Sequence, residues 1–295
     1  MALVDVLIPT CGRKTGLAVV LTSLIGQTST DFDVIISDQT DEAQSCLQSI
    51  EIDTRVRTLR WHGHRVTLHR HLPRRAIGEQ RQFLLNQSQA RYVYVVDDDV
   101  LLVPTVLERL LSVIEQERRG FVGTAATGLS FLKDVRPDEQ QIELWDGPVC
   151  AEPFAPESIL QERHRVNNAA NPLHLEQRLV RHGETVRYKI AWIGGASVLY
   201  DRAELVSEGG FSWWNRLPPE HAGEAAVAQF ILIHDYGGCA ILPSGTYHLG
   251  LPTTNSNRQR NATELFGRIL VERAEDSFTN AQPQAKSLIP MEIAP

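Results

Sequence analysis

Three consecutive carboxylates, Asp97, Asp98 and Asp99, close the apolar run Tyr92-Val93-Tyr94-Val95-Val96. A short run of aromatic and β-branched residues bounded by polar ones reads as a buried strand. The carboxylates therefore leave a sheet at its C-terminal edge, where open α/β folds place their ligands. Three adjacent carboxylates repel one another unless a cation or hydrogen-bond donors absorb their charge. Their hard oxygens suit Mg²⁺ or Mn²⁺, and an ion held there can in turn hold a diphosphate. The bland alternative is a turn and helix N-cap cluster. Far along the chain, Glu224 opens the helical segment Ala225 to His234. A first-turn glutamate is favoured in its ionised form by the helix dipole, which suits a general base as well as a plain dipole partner.

The elements that must position these groups are legible in the same sequence. Leu3 to Ile8 forms a strand ended by Pro9, with Thr10-Cys11-Gly12-Arg13 as its loop. Leu17, Val20, Leu21, Leu24 and Ile25 recur at helical spacing, and Asp33 to Ser37 is a second strand ending at Asp38. Arg55 to Trp61 is expected as a weaker strand. Ile77, Gln80, Phe83, Leu84 and Leu85 give a helix that feeds the Tyr92-to-Val96 strand. Pro104 fits the first turn of the next helix, along which Val106, Leu107, Leu110, Leu111 and Ile114 share a face. Phe121 to Ala126 is a further short strand. Repeated β-α-β units of this kind mean an α/β fold, a mostly parallel sheet flanked by helices.

From about Leu129 to Lys189 the rhythm is lost in a polar stretch carrying Pro137, Pro148, Pro153, Pro156 and Pro172. A region this long inside a compact chain is usually functional or mobile. Order returns at Ile190 to Tyr200, broken by Gly194-Gly195, and is followed by Gly209-Gly210-Phe211 and Trp213-Trp214. The helix from Ala225 to His234 ends at Gly237-Gly238 in C-cap style. Ala240 to Leu242 and Thr246 to His248 read as final strand segments, before a proline-bearing tail.

Composition narrows the function classes. The 295 residues, 42% hydrophobic and 22% charged, describe an ordinary soluble globular protein. A net charge of -7 argues against general nucleic-acid or anionic-membrane binding. Cys11, Cys46, Cys150 and Cys239 form no Cys-x-x-Cys pair, a poor match to a zinc site or a disulfide framework. No apolar stretch approaches the roughly 20 residues of a spanning helix, and the N-terminus lacks the regions of a signal peptide. The expectation is cytoplasmic, with contact to the inner membrane face left open, and the sequons at Asn86 and Asn261 read as accidental. The arginine- and histidine-rich stretch from Arg55 to Arg81 could bind phosphates or a nucleic-acid backbone. Trp61 is its only aromatic before Phe83, so the stacking platform of a single-strand binder is missing.

Several features occur in a telling order. They are Ile8-Pro9-Thr10 with Arg13 just after, a second strand ending at Asp38, and Gly78 and Arg81 ahead of Asp97-Asp98-Asp99. Gly194-Gly195 after Trp192, Gly-Gly-Phe at 209–211, the Gly223-Glu224 helix start and the late His248 complete the series. Together they resemble the family 2 glycosyltransferases, which have the GT-A fold, over roughly residues 3 to 250. The resemblance implies a nucleoside-diphosphate sugar, UDP- or GDP-linked, bound across the carboxyl ends of the first strands. Thr10, Arg13, Asp38, Arg81, Asp97 and Asp98 would then contact the nucleotide sugar. Asp97 and Asp99 would form the Asp-x-Asp pair and, with His248, hold Mn²⁺ or Mg²⁺. Glu224 would be the catalytic base, with Trp192, Gly195, Trp213 and Trp214 on the acceptor side. A single domain over 1–280 is expected, with a nucleotide-sugar half of about 1–128, an irregular acceptor half of about 129–280, and a loose tail at 281–295. Two positions depart from the family pattern. Arg81-Gln82 stands where Arg-Asn is usual, and Glu224-Ala225 stands where Glu-Asp is usual.

The chemistry is self-consistent. A metal held by carboxylates neutralises a leaving diphosphate as a Lewis acid, and a base takes the proton of the acceptor hydroxyl. Direct attack from the face opposite the diphosphate inverts the anomeric carbon. The acceptor, whether glycan, lipid, protein or small molecule, is not legible. The loss of the aspartate at Ala225 keeps a nucleotide-sugar-binding protein without turnover as an alternative. A sugar-nucleotide pyrophosphorylase ranks lower, because Pro9-Thr10-Cys11-Gly12-Arg13-Lys14 has one glycine where a glycine-rich loop is needed. Asp38, Glu224 and His248 each also have a structural reading, as a turn residue, a dipole partner and a satisfied histidine.

Overall fold

A computed structural model describes residues 1–41, 45–153, 158–216, 223–253 and 268–269. Strand β1 (Val4–Thr10) is followed by α1 (Lys14–Ile25), β2 (Phe32–Asp38), α2 (Ile50–Trp61), β3 (Val66–Arg70), α3 (Ile77–Gln87) and β4 (Tyr92–Val96). Past the aspartates come β5 (Val100–Leu102), α4 (Val106–Glu117), β6 (Phe121–Gly123) and β7 (Thr127–Gly128). The remainder is α5 (Asn171–Leu179), β8 (Val186–Tyr188), β9 (Ser197–Asp201), α6 (Arg202–Ser207), α7 (Glu224–Asp235), β10 (Gly238–Leu242) and β11 (Thr246–His248).

Among the described residues the main sheet has eight strands in the order β3-β2-β1-β4-β9-β6-β10-β8. The β3-β2-β1-β4 and β6-β10 pairings are parallel, whereas β9 runs antiparallel to both neighbours and β8 antiparallel to β10. Strand β1 feeds β2 on one side and pairs β4 on the other, so the order reverses there. That switch point opens a crevice beyond the carboxyl ends of β1 and β4, where Thr10 and Asp97–Asp99 emerge.

Both faces of the sheet are covered, which is why its strands read as continuous apolar runs. Val4, Val6, Ile8, Tyr92, Tyr94 and Val96 pack with α1, α2 and α4 in one core. Leu7, Val93 and Val95 face the other, with Phe211 and the apolar side of α7. The alternation along β1 and β4 is the two-residue period of a strand.

Arg55–Trp61, expected as a strand, is the second half of helix α2. Ile52, Val56 and Leu59 recur four and three residues apart and are buried against the first core. That helical stripe begins upstream of Arg55, so a window opened at Arg55 missed it. The third strand of the parallel set is Val66–Arg70 instead. Much of the basic stretch is spread over a helix face and this edge strand, and three of its charges are paired: Arg57 with Asp53 (2.7 Å), Arg65 with Asp33 (3.2 Å) and Arg70 with Asp38 (2.5 Å).

Elsewhere the boundaries shift modestly. The Phe121 strand stops at Gly123, and within the ordered stretch Ile190 to Tyr200 the strand begins after the glycines, at Ser197. The irregular stretch at 129–189 contains 3-10 turns, helix α5 and strand β8. The 281–295 tail and the Asn261 sequon lie outside the described residues. No described helix is long and apolar enough to cross a membrane.

Helix α6 carries a titration device. Asp201 caps it by accepting from the Ala203 and Glu204 amides (2.9 and 3.2 Å), and the Oε2 of Glu204 is buried without a partner. Burial, then the Asp201 charge, push the Glu204 carboxyl up to about 7. A raised carboxyl favours the folded state fully below its ordinary range, and that contribution is lost as pH climbs through about 7. Glu204→Gln is expected to raise the melting temperature at pH 8 by about 2–4 °C and to leave it unchanged at pH 4, as thermal melts at both values would show.

Candidate active site

Thr10 ends β1 and is buried; its hydroxyl donates to Asp98 Oδ2 at 2.6 Å. Arg13 begins in the loop after β1 and reaches over the same group. Its Nη1 donates to Asp98 Oδ1 (3.1 Å) and Asp99 Oδ2 (2.6 Å), and its Nη2 to the Pro252 carbonyl (2.7 Å). A hydroxyl donor and a cation thus absorb charge from Asp98 and Asp99. They do so incompletely. Burial pushes the Asp98 carboxyl up to about 6 against the Thr10 hydrogen bond and the Arg13 charge. Asp99 is also raised, by burial first and by the Asp97 charge, although His248 and Arg13 pull it down.

His248 arrives from 149 positions further along the chain through strand register. Strand β11 pairs antiparallel with β5, His248 opposite Val100, and the Leu249 amide donates to the Asp99 carbonyl at 2.8 Å. His248 Nε2 then lies 3.3 Å from Asp99 Oδ2. Two ligands on one ion at about 2.1 Å each stand about 3 Å apart in octahedral geometry, so this imidazole–carboxylate pair fits a shared divalent ion. The N/O donor set suits Mn²⁺. Asp97, grouped with these two in the sequence reading, points its Oδ1 at Arg81 instead. Among the described residues no three His, Cys, Asp or Glu side chains converge on one point. A site of one or two protein ligands completed by phosphate oxygens and water is usual for nucleotide-bound Mg²⁺.

Arg81 is the link between the two ends of the site. It is buried on α3, and its Nη2 donates to Asp97 Oδ1 (2.7 Å) and the Gly195 carbonyl (3.3 Å), while Nη1 donates to Glu224 Oε1. Burial works against its charge, but Asp97 and Glu224 outweigh that, and the guanidinium holds its proton more tightly than a free arginine. Gly195 is needed for this arrangement, because a Cβ there would overlap the guanidinium. Gly78 is needed next to it: a Cβ would stand 2.9 Å from Trp214 Cβ and 3.1 Å from Glu224 Cγ. Glu224 opens α7 and is buried, with Gly223 in the left-handed conformation preceding it.

The tryptophans separate. Trp214 is half-buried beside Gly78 and Glu224. Trp213 packs on Val227, Ile231 and Ile269, with Arg216 over its ring at 5.6 Å. Trp192 has its face stacked on His164 (4.1 Å) and its edge region against Phe230 (5.3 Å). Of the three, Trp214 is the one placed next to the candidate base. Gln82, the departure from Arg-Asn, accepts from the Phe211 amide at 2.7 Å and so fixes the Gly-Gly-Phe turn that leads to Trp213-Trp214.

Asp38 ends β2 fully buried, and its two oxygens are occupied. They accept from the Thr40 amide (2.7 Å) and Thr40 hydroxyl, and from Ser45 (2.9 Å) and Arg70 (2.5 Å). It therefore shapes the loop beside the crevice through these partners. Arg70 was not singled out in the sequence, nor was Gln229. The latter binds the Ile193 amide (2.8 Å) and the Gly194 carbonyl (2.6 Å), holding the turn that admits Arg81. A glutamine inside the buried run of α7 was the available signal. A cavity of about 520 Å³ adjoins Arg13, between Cys11–Gly16 and Leu251–Thr253; that volume is in the range of small-molecule sites.

A parallel-rich sheet with a switch-point crevice, an Asp-rich strand end and a histidine returned to it by a small second sheet are the features of a GT-A fold. The model of the glycosyl transferase family 2 matches residues 5–147, just under half of the 295 residues. Among solved structures, S. aureus TarS 1-349 in complex with UDP-GlcNAc is similar at 14% identity and a TM-score of 0.55, over 85% of this chain and 60% of that one. GalNAc-T7 with UDP, GalNAc and Mn²⁺ is similar at 13% identity and a TM-score of 0.53, over 98% of this chain and 52% of that one. At these identities the likeness shows the fold, and this chain spans under two thirds of either structure. No curated protein sequence matches. The GT-A expectation from the sequence is borne out.

Proposed function

We propose that this chain transfers a sugar from a nucleoside-diphosphate sugar to an acceptor hydroxyl with inversion. The observation that carries the reading is two lines of paired groups that meet at the adjacent Asp97 and Asp98. They run from His248 and Asp99 through Arg13 and Asp98 to Thr10, and from Asp97 through Arg81 to Glu224. One end offers a metal-ligand pair for a diphosphate, the other a carboxylate next to an aromatic wall. The nucleotide sugar lies across the carboxyl ends of β1, β2 and β4, near Thr10, Asp38, Asp97 and Asp98. Asp99 and His248 hold Mn²⁺ or Mg²⁺, with Asp97 oriented toward the sugar by Arg81. When bound, the ion neutralises the charge of the leaving diphosphate.

Glu224 takes the proton of the acceptor hydroxyl, and Trp214 stacks on the acceptor sugar or packs against an apolar acceptor. Residues 1–128 form the donor half and 129–280 the acceptor half of one domain. The presence of UDP-GlcNAc in TarS and of UDP, GalNAc and Mn²⁺ in GalNAc-T7 supports UDP-sugars as the first donors to test. A second reading has its own observation. Ala225 stands where the family has aspartate, and Glu224 is tied to Arg81, so a protein that binds the donor without turnover fits as well.

The test is a thermal-shift panel of UDP- and GDP-sugars with and without Mn²⁺, followed by nucleotide release. A donor at about a hundred times its Kd stabilises by roughly 2.7 kcal/mol, a rise of several degrees. That rise is expected to need Mn²⁺ and to disappear in Asp99→Asn. No metal-dependent shift with any donor would sink the reading, and a shift without nucleotide release in any acceptor mixture would favour the binding protein.

A further inference from the structure

Arg13 and the candidate metal position share an atom. Asp99 Oδ2 accepts from Arg13 Nη1 at 2.6 Å and faces His248 Nε2 at 3.3 Å. An ion ligated by that oxygen and that nitrogen at about 2.1 Å from each comes within a few ångströms of the guanidinium. At such range, with the Asp99 side chain only 3% exposed and that of Arg13 16%, repulsion between a dication and an arginine outweighs one charge-assisted hydrogen bond. Both cations cannot keep these contacts. We propose that Arg13 and the divalent ion compete for Asp99, so that Arg13 sets the metal affinity and seating of the ion releases Arg13 from Asp98, Asp99 and Pro252. The proposal rests on the metal reading given under the proposed function.

Three observations make the exchange physically reasonable. Arg13 is imperfectly satisfied, since its buried Nε has no partner, so its departure strands fewer bonds than a fully paired arginine would lose. A destination exists among the described residues: the 520 Å³ cavity lies directly beside it, with Lys14 on the same rim. A guanidinium moved there presents two parallel N–H donors, which match a diphosphate oxygen pair. Release also frees the Pro252 carbonyl, to which Nη2 donates at 2.7 Å. Metal seating and donor access to the cavity are coupled by one side chain, and such coupling is reciprocal.

The test uses the full chain and Mn²⁺ without nucleotide, with free Mn²⁺ followed by electron paramagnetic resonance. Arg13→Met, which keeps the aliphatic stem, is expected to bind Mn²⁺ on the order of 5- to 150-fold more tightly than the parent chain. Asp99→Asn should abolish that binding in either background. Arg13→Lys, a compact charge that cannot bridge both carboxylates, should fall between and serves if the methionine variant does not fold. Mn²⁺ should also speed phenylglyoxal modification of Arg13 in the parent chain, read by peptide mass spectrometry. Tight, Asp99-dependent Mn²⁺ binding that is no stronger in Arg13→Met or Arg13→Lys, with Arg13 reactivity unchanged by Mn²⁺, would overturn the competition and leave the metal reading standing. Absence of Mn²⁺ binding in the parent and both variants would overturn both.

Discussion

Glu224→Gln is expected to lower sugar transfer by about 10²- to 10⁴-fold, the usual contribution of a positioned general base, while donor binding is kept. Glutamine preserves the shape of the side chain and the acceptor oxygen that Arg81 uses, but it cannot take a proton. The group is held by the start of α7, by Arg81 and by contact with the Gly78 backbone. Its orientation is thus set before an acceptor arrives. Release of the nucleotide from the donor identified by thermal shift is the measurement, with donor affinity measured in parallel. A variant that turns over at the parent rate would show that Glu224 is a helix-terminal acid clamped for stability. Loss of donor binding together with rate would mean that the Glu224–Arg81 pair builds the donor wall and would leave the base unassigned.

Arg81→Met is expected to cost roughly 3–5 kcal/mol of stability, the range seen when one partner of a buried ion pair is removed. For a chain of this size that is a fall in melting temperature of about 10 °C or more. The reason is that one guanidinium serves two carboxylates. Asp97 and Glu224 would face each other without it, and the Gly195 carbonyl would lose its donor as well. Arg81→Lys is not expected to rescue the loss, because a single ammonium lacks the planar fork that reaches all three acceptors. In Arg81→Met/Glu224→Gln one stranded charge is gone, so the double variant should be more stable than Arg81→Met alone. A double-mutant cycle measures that coupling. Strictly additive losses would show that the pair is not energetically linked in solution.

The strand–aspartate junction illustrates what a sequence can carry by itself. Tyr92 to Val96 is buried on both faces, so its apolar run is continuous and its end at Asp97 is sharp. The same local logic held for β1, β2, α4 and α7, whose boundaries moved by only a few residues. It failed at Arg55–Trp61, where three arginines within six positions masked a stripe of only three buried residues. Short β5, β7 and β8 left no period long enough to read.

The sequence alone determined the alternation of strand and helix, the emergence of three carboxylates at a sheet edge, and the family that their order resembles. Those properties rest on burial patterns within a few residues of each other. Tertiary structure decided which charge meets which. Arg81 and Glu224 are 143 residues apart, and Arg13 reaches Pro252 across 239. His248 meets Asp99 only because β11 pairs with β5 in one register. A shift of one residue in that pairing would turn the imidazole to the other face of the small sheet. The partners of a buried charge are chosen by strand register and by glycines that make room for a neighbour, as Gly78 does for Trp214 and Glu224 and Gly195 for the Arg81 guanidinium. Neither is written in local periodicity, because both depend on elements that meet only when the chain has folded.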